Sequence, residues 1–282
     1  MPSNLAISDE RPTTMFCERL AGPPDTDFLV RLPAQPRTPA PILVSMHGLA
    51  RNPLQSLVYL ADAADRLGAI LIAPFFSKER HHGFQWLETW KGGARADLVL
   101  NAFVAKIAAA YGGDTGRLVL FGFSGGGQFC HRFAMLHPAN VACVVSVAAG
   151  WYTYPDDAAF PLGANPDRSG RIRPDLNGFL RVSMLVAVGS RDTERKESLN
   201  RRPEIDERQG PNRVVRAQRW VAALNAAAAV RGITHPLARI QLIKNAGHSL
   251  KNCVVKRKFD DSVVDFATQC LDKRTAFVRK AP

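Results

Sequence analysis

At 282 residues, 46 % of them apolar and 22 % charged, the chain has the material for one large globular core and the length of a single α/β domain. No apolar run approaches the roughly 18 residues of a membrane span, so no spanning helix is expected. The formal charge of +12 raises the question of nucleic acid, but basic residues are interleaved with acidic ones, as in Asp192-Thr-Glu-Arg-Lys-Glu197 and Lys256-Arg-Lys-Phe-Asp-Asp261. With no helix-turn-helix, RNA-recognition or zinc-finger pattern, neither a nucleic acid nor a membrane is an expected partner.

Met1–Pro12 is polar and lacks the basic and apolar regions of a signal peptide. A strand is expected at Asp27–Pro33, preceded by another in Thr14–Leu20. A proline-rich turn leads to Ile42–Met46, a continuous apolar run of the kind buried on both faces of a parallel sheet. Helix follows over Pro53–Leu67, where Leu57, Leu60, Ala61, Ala64 and Leu67 recur at three- and four-residue spacing and Pro53 fits the first turn. Then come a strand at Ala69–Phe76, a helix at Ala94–Tyr111 ended by Gly112-Gly113, a strand at Leu118–Phe123, a helix at Gly126–Leu136 and a strand at Val141–Ala148. Residues 151–178 lose all periodicity. A strand at Val182–Val188, a second irregular stretch at 191–212, a helix at Arg213–Arg231, a strand at Arg239–Ile243 and a helix from Asn252 to about Leu271 complete the chain.

Such alternation implies βαβ units, hence a mostly parallel twisted sheet covered by helices on both faces. The expected organisation is an N-terminal extension (1–26) carrying the early strand, a single domain (27–271) and a C-terminal tail (272–282). The irregular stretches 151–178 and 191–212 read as short lid insertions rather than a full cap domain. The five cysteines include no C-x-x-C pair, so neither a disulfide scaffold nor a zinc knuckle is indicated, and a reduced, cytoplasmic compartment is expected.

The chemistry is concentrated in Leu118-Val-Leu-Phe-Gly-Phe-Ser-Gly-Gly-Gly-Gln128. A strand runs into Gly122-Phe-Ser124-Gly-Gly126 and a helix begins at once, which is G-x-S-x-G in the strand–turn–helix setting that exposes a nucleophilic serine. Residues two positions either side of the serine must be small, or they would collide with the adjoining strand and helix. A phosphate-binding turn is the competing reading, but the P-loop lysine and the G-x-G-x-x-G spacing are both missing.

A serine hydroxyl needs a histidine to take its proton, and that histidine needs a carboxylate to fix its tautomer. The loop after Val182–Val188 supplies Asp192, and the loop after Arg239–Ile243 supplies His248, in the order Ser, acid, His. The candidate catalytic residues are therefore Ser124, Asp192 and His248, with Glu194 as the alternative acid. Oxyanion donors are expected from the backbone N–H of Gly125 and, in the loop His47-Gly-Leu-Ala50, of Leu49. His47 lies on the wrong loop to act as base and reads as a structural hydrogen-bonding residue.

The span 27–271 resembles α/β-hydrolase-fold serine hydrolases, and within them the compact polyhydroxybutyrate-depolymerase-like and dienelactone-hydrolase-like esterases. The resemblance rests on His47-Gly48-Leu49, Gly122 to Gly126, Asp192 and His248. It departs from the pattern in three ways: the H-G-G-G run of many lipases is absent, dienelactone hydrolases carry cysteine where Ser124 stands, and secreted depolymerases carry an export signal. The resemblance implies hydrolysis of a small-molecule carboxylic ester or thioester through an acyl-enzyme, with no cofactor and no metal. Amide cleavage and acyl transfer use the same triad. A receptor on this scaffold would ordinarily carry a broken triad, and Cys130 falls inside the helix after the elbow, where it packs as a small apolar residue.

Phe84, Trp86 and Trp90, in the loop after Ala69–Phe76, are candidates for a substrate wall, as are Trp151 and Tyr152 after Val141–Ala148; the alternative for the first group is a cap on the core. His81-His82 lacks further residues at ligand spacing and reads as a solvated loop. The insertions carry Arg168, Arg171, Arg173, Arg191, Arg195, Lys196, Arg201, Arg202, Arg208 and Arg213. They raise the expectation of an anionic substrate, against the alternative that they pair with the neighbouring acids.

Overall fold

The computed structural model describes residues 14–89, 93–233 and 238–278, with side chains of the last helix to Lys273. Eight strands form one sheet: β1 (Thr14–Leu20), β2 (Thr26–Leu32), β3 (Ala40–Met46), β4 (Ile70–Phe75), β5 (Gly113–Phe123), β6 (Val141–Val147), β7 (Ser183–Gly189) and β8 (Ala238–Ile243). Their spatial order is β1-β2-β4-β3-β5-β6-β7-β8, with β1 and β2 antiparallel and every pair from β4 to β8 parallel.

The helices are α1 (Pro53–Leu67), α2 (Ala96–Tyr111), α3 (Gly125–Leu136), α4 (Leu176–Phe179), α5 (Pro203–Gln209), α6 (Arg213–Val230), α7 (Leu250–Val254) and α8 (Phe259–Val278). Two apolar layers sandwich the sheet because consecutive strand residues point to opposite faces. In β5, Leu118 and Leu120 join the layer under α2, α3 and α6, while Val119 and Phe121 join the layer under α1, α7 and α8. All seven residues of β3 are buried, which accounts for its continuous apolar run. Among the described residues no helix is long and apolar enough to cross a membrane.

Helix α1 begins where the sequence signals it: the Asn52 side chain accepts from the Gln55 N–H, and Pro53 occupies the first turn. Gly68, at φ +58°, closes it in the left-handed conformation. Four expectations change. Strand β5 begins at Gly113, ahead of the expected Leu118, and the short helix α4 opens within the stretch 151–178, expected to be irregular. The stretch 191–212, expected to be irregular throughout, contains α5; its one wholly apolar contact, Ile205, gives too little periodicity to read, although Pro203 at its start and Glu204 and Asp206 in its first turn are sound helix signals. The single helix expected from Asn252 to Leu271 is broken between α7 and α8, where Lys258 adopts φ +51°, and α8 continues to Val278.

The strand order places the site. From β3 the chain moves one way to β4, then crosses back to β5 on the other side. The loops leaving the carboxyl ends of β3 and β5 therefore diverge from adjacent strands, and this is the crevice in which open α/β sheets bind ligands.

Candidate active site

At the end of β5 the backbone turns through Ser124, whose φ of +55° and ψ of −112° are angles that L-residues avoid. The turn closes so tightly that a Cβ on Gly122 would overlap the Gly126 carbonyl, and one on Gly126 would overlap the Met46 carbonyl at the end of β3. The small flanking residues of the motif are thus steric requirements. Gly126→Ala is expected to cost at least about 1–3 kcal/mol through this backbone clash, which thermal melting would register as a midpoint lower by roughly 2–4 °C per kcal/mol.

Ser124, His248 and Asp192 come from the ends of β5, β8 and β7 and meet. Ser124 Oγ–H donates to His248 Nε2 at 3.2 Å, and His248 Nδ1–H donates to Asp192 Oδ2 at 2.7 Å. Asp192 and Ser124 are buried, and the Phe123 ring lies 4.9 Å from the imidazole. Glu194 is exposed and paired with Lys196 at 2.7 Å, away from His248.

The loop after β3 lies against the elbow. A Cβ on Gly48 would approach the Phe123 carbonyl to 3.2 Å, and one on Gly125 would lie 3.4 Å from the Leu49 nitrogen. Gly125 is the first residue of α3, so its N–H has no intrahelical acceptor. The Leu49 N–H makes no hydrogen bond within the described residues. Among the described residues neither N–H has an acceptor, and the two flank the serine.

His47 anchors this loop. It is buried, accepts from the Phe76 N–H at Nε2 (3.1 Å) and donates from Nδ1 to the Gly48 carbonyl (2.9 Å). Burial pushes its pKa down to about 4, keeping the ring neutral and able to perform both roles. His81 is also buried, hydrogen-bonded to Thr26 Oγ1, and among the described residues no group of His, Cys, Asp and Glu could hold a metal ion.

The cleft at Ser124 measures about 360 Å³ and is walled by Leu49, Asn52, Gln55, Phe123, Ser198 and Lys251. Four of the aromatic residues expected to wall it, Phe84, Trp86, Trp151 and Tyr152, do not line it. Phe84 is 1 % exposed and packs between His47 and Phe129, and Trp86 ends the short turn Phe84–Trp86. Trp151 lies under the Arg132 guanidinium at 4.3 Å, and Tyr152 is stacked on Trp220 with ring centroids 4.3 Å apart. Phe84, Trp151 and Tyr152 are thus buried core side chains, and Trp86 is half-buried. Trp90 lies outside the described residues.

The sequence did not mark Asn52, Gln55, Ser198 and Lys251 as residues of the cleft, nor Arg213 as a partner of Asp192. Asn52 and Gln55 belong to the start of α1, and the Asn-Pro helix signal just after the loop that follows β3 could have indicated them. Arg213, one of many arginines, is 1 % exposed and donates to Asp192 Oδ1 at 3.2 Å; nothing in its sequence setting marks it.

No family model and no curated protein sequence matches this chain. Solved structures do. A poly(aspartic acid) hydrolase-1 from Sphingomonas sp. KT-1 superposes with a TM-score of 0.73 at 21 % identity, over 90 % of this chain and 99 % of that one. The poly(3-hydroxybutyrate) depolymerase LpqC from Bordetella parapertussis gives 0.72 at 25 % identity, over 89 % and 88 %. An S-formylglutathione hydrolase from Agrobacterium tumefaciens gives 0.61 at 17 %, over 92 % and 95 %. The chain has the α/β-hydrolase fold, and its structural neighbours are esterases and other hydrolases of that fold.

Proposed function

We propose that the protein is a serine hydrolase that cleaves a carboxylic ester or thioester of a small substrate through an acyl-enzyme. The observation that carries this reading is the unbroken hydrogen-bond line from Ser124 through His248 to Asp192, set on a strained turn at the sheet's crevice. Ser124 Oγ attacks the substrate carbonyl carbon while His248 Nε2 takes its proton. The carbonyl oxygen becomes an oxyanion facing the Leu49 and Gly125 N–H groups, and Asp192 stabilises the imidazolium. As the tetrahedral centre collapses, His248 returns the proton to the leaving alcohol or thiol, and Ser124 remains acylated. Water then repeats the sequence, its proton passing to His248 and back to Ser124, releasing the acid.

The test is labelling by a fluorophosphonate probe with the adduct mapped by mass spectrometry, alongside p-nitrophenyl esters of graded chain length, thioesters and anilides. An adduct on Ser124 with ester turnover supports the reading. Faster anilide turnover would make it an amidase, transfer to an added alcohol an acyltransferase, and no adduct with no turnover a binding protein.

The substrate proposed is anionic, but the arginine-rich insertions are not the main reason. Arg195 pairs with Asp206, Lys196 with Glu194, Arg202 with Glu204, Arg208 with Asp156 and Arg213 with Asp192. Half of that basic set is neutralised by its own acids. Among the described residues Lys251 is the charge that borders the cleft, no acidic residue lines it, and no carboxylate pairs with Lys251. One structural neighbour is named for poly(aspartic acid), which agrees with this choice. Exposed charge acts over about 8–10 Å at ordinary ionic strength. The expected result is a kcat/KM for an anionic ester several-fold above that of a neutral ester of equal size at low salt. High salt or Lys251→Glu should erase the difference. Equal salt response of the two esters would make Lys251 a surface residue only.

A further inference from the structure

Asp192 has two carboxylate oxygens and a separate partner for each. Oδ2 accepts from His248 Nδ1–H at 2.7 Å, while Oδ1 accepts from Arg213 Nη1–H at 3.2 Å. The other arm of the same guanidinium, Nη2–H, donates to Ser198 Oγ at 3.1 Å, and Ser198 lines the cleft. Arg213 is 1 % exposed and has no access to substrate.

Helix stability does not account for an arginine at this position. Arg213 is the first residue of α6, where unpaired backbone N–H groups favour negative charge, so a cation has the disfavoured sign. Arg216, one turn on, is buried as well and needs Asp206 for its own partner. Burial pushes the Arg213 guanidinium down from its usual pKa, and Asp192 is the chief group opposing that shift. A buried charge in such a place is costly unless its partner requires it.

What Asp192 requires is orientation. The last torsion of an aspartate is broad and two-fold, so a carboxylate held only by one histidine can turn away from it. A second donor from a rigid planar fork, itself tied to Ser198, fixes the carboxylate plane. We infer that Arg213 is a positioning residue for the reaction: it locks Asp192 so that Oδ2 stays on His248 Nδ1, and it ties the acid to the cleft wall at Ser198. This rests on the serine hydrolase reading.

Arg213→Ala is expected to lower kcat by about 10- to 100-fold, the scale on which misplacing a catalytic group acts, with KM within about twofold. Millimolar guanidinium chloride should restore several-fold of the loss in Arg213→Ala and do nothing for Arg216→Ala. The deshielded Nδ1 proton of His248 in the ¹H NMR spectrum should weaken or vanish in Arg213→Ala and persist in Arg216→Ala. If Arg213→Ala does not fold, Arg213→Lys serves: its single ammonium cannot hold both Asp192 and Ser198, and kcat should fall about tenfold. An unchanged kcat in Arg213→Lys or Arg213→Ala would overturn the inference, as would a rise in KM alone or a Nδ1 proton signal indifferent to Arg213. If the wild-type protein neither turns over esters nor reacts with the probe, the hydrolase reading falls by itself. The proton signal still reports whether Arg213 holds the Asp192–His248 pair.

Discussion

Ser124→Ala is expected to remove ester hydrolysis almost entirely, by about 10⁶-fold in kcat, since triad members act as a unit. The fold should survive. Ser124 sits at φ +55°, a strain that alanine shares, and its side chain makes one hydrogen bond, to His248, which can remain on Asp192. The backbone contacts that build the elbow, Ser124 N–H to the Val147 carbonyl and Gln128 N–H to the Ser124 carbonyl, do not involve the hydroxyl. Steady-state turnover, probe labelling and a thermal melt on one preparation check this. Activity within tenfold of wild type with an unchanged melt would remove Ser124 from the chemistry.

Asp192→Asn is expected to lower kcat by on the order of 10⁴ with little change in KM. The environment gives this substitution a direction. An asparagine must present its oxygen to one partner and its NH₂ to the other, and both partners of Asp192 donate. Arg213 is always charged and cannot accept, so the amide oxygen turns to Arg213 and the NH₂ to His248. The imidazole then carries its proton on Nε2, facing Ser124, and cannot receive the serine proton. Glu194→Gln, altering an exposed side chain paired with Lys196, should leave kcat near wild type. Kinetics on the two variants decide the acid. A silent Asp192→Asn beside a crippled Glu194→Gln would reverse the assignment.

The elbow was legible because its constraints are local. A serine forced to positive φ between a strand and a helix needs small residues two positions away, and the clash distances at Gly122 and Gly126 leave no alternative. Asp192 and His248 could be anticipated because each follows an apolar strand whose end the sequence marks. The order Ser124, Asp192, His248 along the chain is that of the strands they follow, β5, β7 and β8. The helix α5 and the break between α7 and α8 were not legible. Both stretches are polar; α5 is held by partners outside it, Arg195 and Arg216 around Asp206, and the break between α7 and α8 falls at Lys258, where no glycine marks the positive φ.

By itself the sequence determined the alternation of strands and helices, the strained Ser124, the placing of Asp192 and His248 after successive strands, and Gly48 in the loop after β3. These follow from periodicity and backbone sterics, which act within a few residues. Only the tertiary structure decided which residues enclose the cleft. Phe84, Trp151 and Tyr152 carry as much apolar surface as any pocket wall, and burial against Phe129, Arg132 and Trp220 drew them into the core. The cleft was left to Leu49, Asn52, Gln55, Ser198 and Lys251. Likewise Arg213 became the partner of Asp192 because α6 begins beneath β7's loop, a coincidence of two segments 21 residues apart that no local pattern encodes. Long-range packing decides which of many chemically similar side chains is desolvated beside a charge, and a one-dimensional string of residues does not carry that information.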